Sequence, residues 1–185
     1  RDKKCCVLGG EKAQAVTNSL LSSPALKLED INEAECLILM DQKSWFSLDA
    51  IDRLLSALLN RFDQGNPIEV ILCNPDVYFP KTSDSYGIAS GMVMEIVHAA
   101  FSKRFPQGYH FPLVSLGKPF PEIFESAKKN VNVSKIVMIG DQVATDILGA
   151  KSAGLSAALI GGGITSIDFK NIDSLNYEAL GHSTP

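Results

Sequence analysis

The chain is poor in several things that would announce a function directly. Four cysteines (Cys5, Cys6, Cys36 and Cys73) occur with no CxxC pair and no histidine at metal-ligand spacing, which argues against a thiol-bound zinc site. No apolar run reaches the ~18 residues of a membrane-spanning helix, and no signal-peptide pattern opens the chain. Basic blocks are absent and the net charge is -4, so nothing favours nucleic acid as a partner. Internal repeats and low-complexity tracts are absent too. Gly161-Gly162-Gly163 lacks the Lys-Ser/Thr that would follow in a P-loop, and reads as a plain turn.

What remains is an ordinary globular composition, 45% hydrophobic and 21% charged over 185 residues, enough for one large or two small domains. Three of the cysteines lie inside apolar runs, where a reduced thiol behaves as a small hydrophobe, so a reducing, cytoplasmic setting is expected. The chain opens on Arg1 rather than Met and is read as starting partway along a longer product.

Short apolar runs alternate with helical patterns. Strands are predicted at Cys5 to Leu8, Glu35 to Met40, Ile68 to Cys73, Phe111 to Leu116, Ile136 to Ile139 and Ser156 to Ile160. Between them, Ala13, Val16, Leu20 and Leu21 mark one helix, and a second opens at Ser47 with Ile51, Leu54, Leu55, Leu58 and Leu59 on one face. Further helices are expected at Met92 to Phe101, with His98 facing solvent, at Pro121 to Lys129, and at Ala144 to Ala153 with Gly154 as terminator. Residues 75–91 read as a long loop of functional rather than idle character. Strand-helix alternation throughout argues a parallel α/β fold.

The chemistry concentrates at Lys135-Ile-Val-Met-Ile-Gly-Asp141-Gln-Val-Ala-Thr-Asp146, an apolar strand that ends in two carboxylates where a helix begins. Asp is a favoured helix N-cap, so capping alone would account for either residue. Yet strand carboxyl ends are where parallel α/β sheets bind ligands, and paired acids there suit a hard metal ion. Upstream, Gly117-Lys118-Pro119-x-Pro121-x-x-Phe124 sets a lysine after a strand, at a helix start.

The two motifs, in type, order and spacing, resemble motifs III and IV of the haloacid-dehalogenase-like (HAD) phosphatase superfamily. Cys73-Asn74-Pro75-Asp76-Val-Tyr-Phe-Pro80 is similar to the Asn-Pro-Asp segment in the cap of subclass IIA, the NagD-like phosphatases, and Cys5 to Gly10 resembles the strand before that cap. The resemblance implies a Rossmann-like three-layer α/β/α core with an inserted α/β cap, divided as core strand 1–10, cap 11–110 and C-terminal core 111–185. It further implies Mg²⁺-dependent hydrolysis of a small phosphorylated metabolite through an aspartyl-phosphate. By the same resemblance Asp141 binds the ion, Asp146 orients its water shell, and Lys118 neutralises phosphate and nucleophile. Phe79 takes the cap position that reaches the substrate, and Asp41 lines the cap face. Caps of this subclass can also mediate homodimers.

One element of the family pattern is missing. Its nucleophile lies in an Asp-x-Asp-Gly signature, and these residues contain none; Asp41-Gln42-Lys43 lacks the second acid, and Cys73-Asn74 belongs to the Asn-Pro-Asp segment. The nucleophile is therefore expected upstream of Arg1, the 185 residues alone are expected to be inactive, and their core strands to show an unpaired edge and bare apolar surface. The alternative is a catalytically dead HAD-like binding or regulatory protein.

Overall fold

The computed structural model describes residues 3–41, 44–82, 84–131 and 135–161. The chain divides into two compact units, Arg1–Gly117 and Lys118–Pro185.

The first unit is built on a parallel sheet in the order β1-β2-β3-β6, from β1 (Cys5–Leu8), β2 (Cys36–Leu39), β3 (Glu69–Leu72) and β6 (Leu113–Ser115). The expected parallel α/β class is thus observed. Leu26 adds a single bridge beside β1, accepting from Val7 N-H at 3.2 Å and donating to Cys5 O at 2.8 Å. β2 and its flanks bond instead to Lys4 O and Leu8 O. Odd and even residues of a strand present their backbone groups to opposite edges, so Leu26 and β2 flank β1 on its two sides.

The helices are α1 (Glu11–Leu20), α2 (Leu48–Asp63) and α3 (Ser90–Arg104), with a 3₁₀ turn at Leu28–Glu33. Ser47 caps α2, its side chain accepting from Ala50 N-H at 3.1 Å. Ile51, Leu54 and Leu58, spaced three and four apart, are buried as the sequence implies. They meet Cys6, Leu8, Leu37, Leu39, Val70 and Leu72 of the sheet and Val93, Val97 and Phe101 of α3 in one core. Cys5, Val7 and Cys36 project to the opposite face, beside Leu21 and Ala25. Burial pushes the Cys6 and Cys36 thiols up to about 12.

Three local expectations change. In α1 the apolar Val16 and Leu20 are exposed, and the inner face runs instead through Ala13, Thr17 and Leu21, four apart. Small Ala13 can sit against Gly9, and Thr17 Oγ1 satisfies itself on Ala13 O at 2.9 Å. The segment read as a loop contains an antiparallel hairpin, β4 (Tyr78–Thr82) with β5 (Ser85–Ile88). Pro80 and Gly87 obscure its alternation in sequence. His98 is half-buried rather than fully solvent-facing; its Nδ1 lies 2.9 Å from Tyr109 Oη, and Phe111 and Tyr109 pack on the ring.

β1 and β6 are both hydrogen-bonded into the sheet of β2 and β3, and the first compact unit runs to Gly117. Equal runs of apolar β-formers do not reveal which strands will be neighbours.

The second unit holds α4 (Pro121–Lys129), β7 (Val137–Gly140), a π-turn (Val143–Ile147), α5 (Leu148–Ser152) and β8 (Ser156–Leu159). The helix expected at Ala144 to Ala153 is therefore a π-turn followed by a short α-helix, closed by Gly154 at φ 73°. β7 and β8 pair in parallel. One face packs on helices, with Met138 and Ala157 against Phe124, Ala150 and Ala153. On the other side Val137 and Ile139 are 55% and 63% exposed. Bare apolar surface is thus seen on β7, and β6, paired with β3 alone, ends the four-stranded sheet. Gly162 and Gly163 of the glycine run, and the tail from Asp168, lie outside the described residues. Among the described residues no helix is long and apolar enough to cross a membrane.

Candidate active site

The site in the second unit is assembled by one carboxylate. Asp146 is 2% exposed, and both its oxygens are engaged. Oδ1 accepts from Lys118 Nζ at 2.5 Å, while Oδ2 accepts the backbone N-H groups of Asp141 and Gln142, each at 3.1 Å. Asp146 therefore fastens the turn that follows β7 to the lysine that precedes α4. An ion pair this buried is held up by its additional hydrogen bonds, which offset some of the desolvation cost of the carboxylate.

The π-turn sets the register of this carboxylate. Asp146 N-H and Ile147 N-H both donate to Gln142 O, at 2.9 and 3.3 Å, so the first turn is widened by one residue. Thr145 Oγ1 donates to Gln142 Oε1 at 3.2 Å and ties the same turn.

Gly140 has a steric reason. A Cβ at that position would lie 2.2 Å from Asp146 Oδ2 and 2.4 Å from its Cβ, so only glycine lets the carboxylate reach back under the strand end. Gly149 has a similar role further along the chain, where a Cβ would meet the Phe124 ring at 2.7 Å and Pro119 Cα at 2.9 Å. This close approach seats α5 against the segment that carries Lys118.

Lys118, Asp141 and Asp146 are thus brought together at the carboxyl end of β7, with Lys118 partly open to solvent at 32%. A fixed ammonium and two carboxylates on one strand end can hold a cation and an oxyanion side by side. Among the described residues no group of three or more His, Cys, Asp or Glu is placed to hold a metal.

Asp41 and Phe79 belong to the first unit. Asp41 follows β2, and its Oδ1 accepts Gly10 N-H at 2.8 Å, at the start of α1; its backbone oxygen accepts from Trp45 Nε1. Phe79 in β4 lies over Gly87 of β5, where a Cβ would come within 2.5 Å of the ring. Asn74-Pro75-Asp76 forms an Asx-type turn, with Asp76 N-H on Asn74 Oδ1 at 3.3 Å.

Sequence reading missed Ser90. Its hydroxyl is fully buried, 3.1 Å from Asn74 O and 3.3 Å from Met40 O, so one proton ties the ends of β2 and β3 together. Beside it Gly91 donates to Asp76 O at 2.9 Å, and a Cβ there would strike Pro75 O. The Ser-Gly pair at a helix start was the only available signal.

Residues 115–173, which hold both motifs, match the family model described as HAD-hydrolase-like. The phospholysine phosphohistidine inorganic pyrophosphate phosphatase of Xenopus laevis is 28% identical over 147 residues, 78% of this chain and 49% of that protein. A possible sugar phosphatase of the HAD superfamily from Cytophaga hutchinsonii shares 26% identity and superposes with a TM-score of 0.68, covering 90% of this chain and 57% of its own. The p-nitrophenyl phosphatase from Archaeoglobus fulgidus, at 22% identity, shares the fold with a TM-score of 0.64 over 93% of this chain and 59% of its own. The chain spans about half the length of the curated relatives it matches. The motif-bearing segment thus matches a HAD-hydrolase-like family model, and the chain is similar in fold to these phosphatases.

Proposed function

We propose that this chain belongs to a NagD-like, Mg²⁺-dependent phosphatase that hydrolyses a small phosphomonoester, of the sugar phosphate or aromatic phosphate type. The observation that carries this reading is the Lys118–Asp146 pair clamped to the Gly140-Asp141 turn at a strand's carboxyl end.

The donor set fits a magnesium ion. Mg²⁺ takes hard oxygen ligands and keeps several waters, so one or two carboxylates suffice. Asp141 would hold it directly, and Asp146, whose oxygens already accept protein donors, would act through the ion's water shell. Bound there, the ion would neutralise charge on the phosphoryl oxygens. Lys118 supplies a second fixed positive charge toward the transferred group, worth most where negative charge builds up in the transition state.

The group that attacks phosphorus, an aspartate that becomes aspartyl-phosphate, is proposed to lie outside these 185 residues. Two facts support this: no Asp-x-Asp-Gly occurs in the sequence, and the Val137/Ile139 face of β7 is bare. Parallel sheets are ordinarily covered on both faces. Phe79 is proposed to contact the leaving group, and its replacement by alanine should change activity unequally toward aromatic and sugar phosphates.

The test uses p-nitrophenyl phosphate with magnesium. The complete protein carrying these residues should turn it over, and Asp141→Asn and Lys118→Ala should each lower kcat by about 10²–10³. The 185 residues alone should show no turnover; magnesium-dependent turnover by them would place the nucleophile inside this chain. The missing Asp-x-Asp-Gly also supports a second reading, a binding protein that retains phosphate but lacks chemistry. Phosphate binding without turnover by the complete protein would select it.

A further inference from the structure

The first unit has a crevice of its own, independent of the phosphatase reading. With Leu26 counted, its strands run Leu26, β1, β2, β3, β6, which is 2-1-3-4-5 in chain order. The chain leaves β1 in one direction and resumes at β2 in the other. At such a reversal the two connections diverge, and a crevice opens outside the strands' carboxyl ends, where doubly wound sheets bind ligands.

A cavity of about 310 Å³ lies at that place. It is walled by Val7 and Leu8 from the end of β1, Lys27, Leu28 and Glu29 from the segment after the Leu26 bridge, and Trp45 from the segment after β2. Its volume is at the lower end of the range of about 300–1,000 Å³ for small-molecule sites.

The lining discriminates among ligands. The helix starts on either side already have acceptors: Asp41 Oδ1 takes Gly10 N-H at α1, and Ser47 Oγ takes Ala50 N-H at α2. A phosphate docking at either start would meet those oxygens, so a phosphorylated ligand is disfavoured. Arg53 and Asp49, also in the wall, pair with each other at 2.8 Å. Of the charged groups in the wall that leaves Lys27 and Glu29, two residues apart, beside Val7, Leu8, Leu28 and Trp45, with the neutral polar Gln14 and Ser44 also in the lining.

We infer that this crevice binds a small zwitterion with a flat apolar side chain, an aromatic α-amino acid. Its carboxylate meets Lys27, its ammonium meets Glu29, and its ring lies against Trp45, Leu28 and the end of β1.

Trp45 is the single tryptophan of the chain and reports directly on the cavity. L-phenylalanine is titrated while tryptophan emission is followed, with Trp45→Phe as the blank. A saturable emission change is expected, with affinity at least tenfold weaker in Lys27→Glu and in Glu29→Lys. Both residues are exposed, and far-UV circular dichroism with the unfolding midpoint checks that the variants keep their fold. Phenylpropionate and phenylalaninamide, each lacking one charge, should bind at least tenfold more weakly than L-phenylalanine. No saturable response to L-phenylalanine, unchanged affinity in both charge variants, or equal binding of phenylpropionate would overturn the inference.

Discussion

Lys118 Nζ and Asp146 Oδ1 stand 2.5 Å apart, one member a third exposed and the other at 2%. The pair joins the two motifs of the chain across 28 residues of sequence, and the buried member also holds two backbone N-H groups of the intervening turn. The asymmetry of burial predicts an asymmetry of mutational cost.

Asp146→Ala removes the acceptor of three donors and is expected to destabilise the second unit by about 3–5 kcal/mol. Lys118→Ala should cost less, because its partner keeps both backbone donors and the lysine is partly solvated. Denaturant unfolding of the two single variants and the double variant should give a coupling of about 1–3 kcal/mol. A coupling near zero would show that the pair is not an energetic unit.

Gly140→Ala should behave as an indirect lesion in Asp146. The added methyl would sit 2.2 Å from Oδ2, so either the carboxylate moves or the strand end does. A loss of about 1–3 kcal/mol is expected, as for other overpacked sites. Combined with Asp146→Ala the effect should shrink, since the colliding group is gone; an undiminished effect would mean that the strand itself demands glycine.

The buried thiols make the first unit sensitive to alkali. Burial raises Cys6 and Cys36 from 9.0 to about 12, so the folded state keeps protons that the unfolded chain releases. Stability is accordingly full below about pH 9 and declines toward pH 12, by up to about 1.4 kcal/mol per pH unit and thiol. Urea midpoints at pH 8 and 10.5 should differ more in the parent than in Cys36→Ala. An equal decline in both would point to other groups.

Ser90→Ala should loosen the ends of β2 and β3, because two buried carbonyls lose their shared donor. A cost of about 1–3 kcal/mol is expected from unfolding midpoints. Thr, which keeps the hydroxyl, should recover some of it if its extra methyl can be accommodated; recovery by Val instead would assign the effect to packing.

Much of the secondary structure was legible because it follows from local rules. Cys5 to Leu8 and Pro121 to Lys129 begin and end where the sequence places them, the first as an apolar run stopped by Gly9-Gly10, the second with proline at its first position. Ser47 as the cap of α2 is equally local. The β4-β5 hairpin was not legible, since Pro80 and Gly87 interrupt the alternation and only cross-strand pairing restores it. Nor was the inner face of α1, where a threonine that bonds its own helix is buried while Val16 and Leu20 are not.

The sequence by itself determined the order of the charged residues of the candidate site, Lys118 before Asp141 before Asp146, because their spacing along a strand-turn-helix is a local property. It determined the parallel α/β class for the same reason, through the alternation of short apolar runs with helical periods. Only the tertiary structure decided that both oxygens of Asp146 would be spent on Lys118 and the turn, and that a π-turn would deliver them there. It alone decided that β6 would join β3 and that Leu26 and β2 would flank β1. These are contacts between residues far apart in the chain, selected by mutual burial and hydrogen-bond satisfaction, and no local pattern encodes which distant partner supplies them.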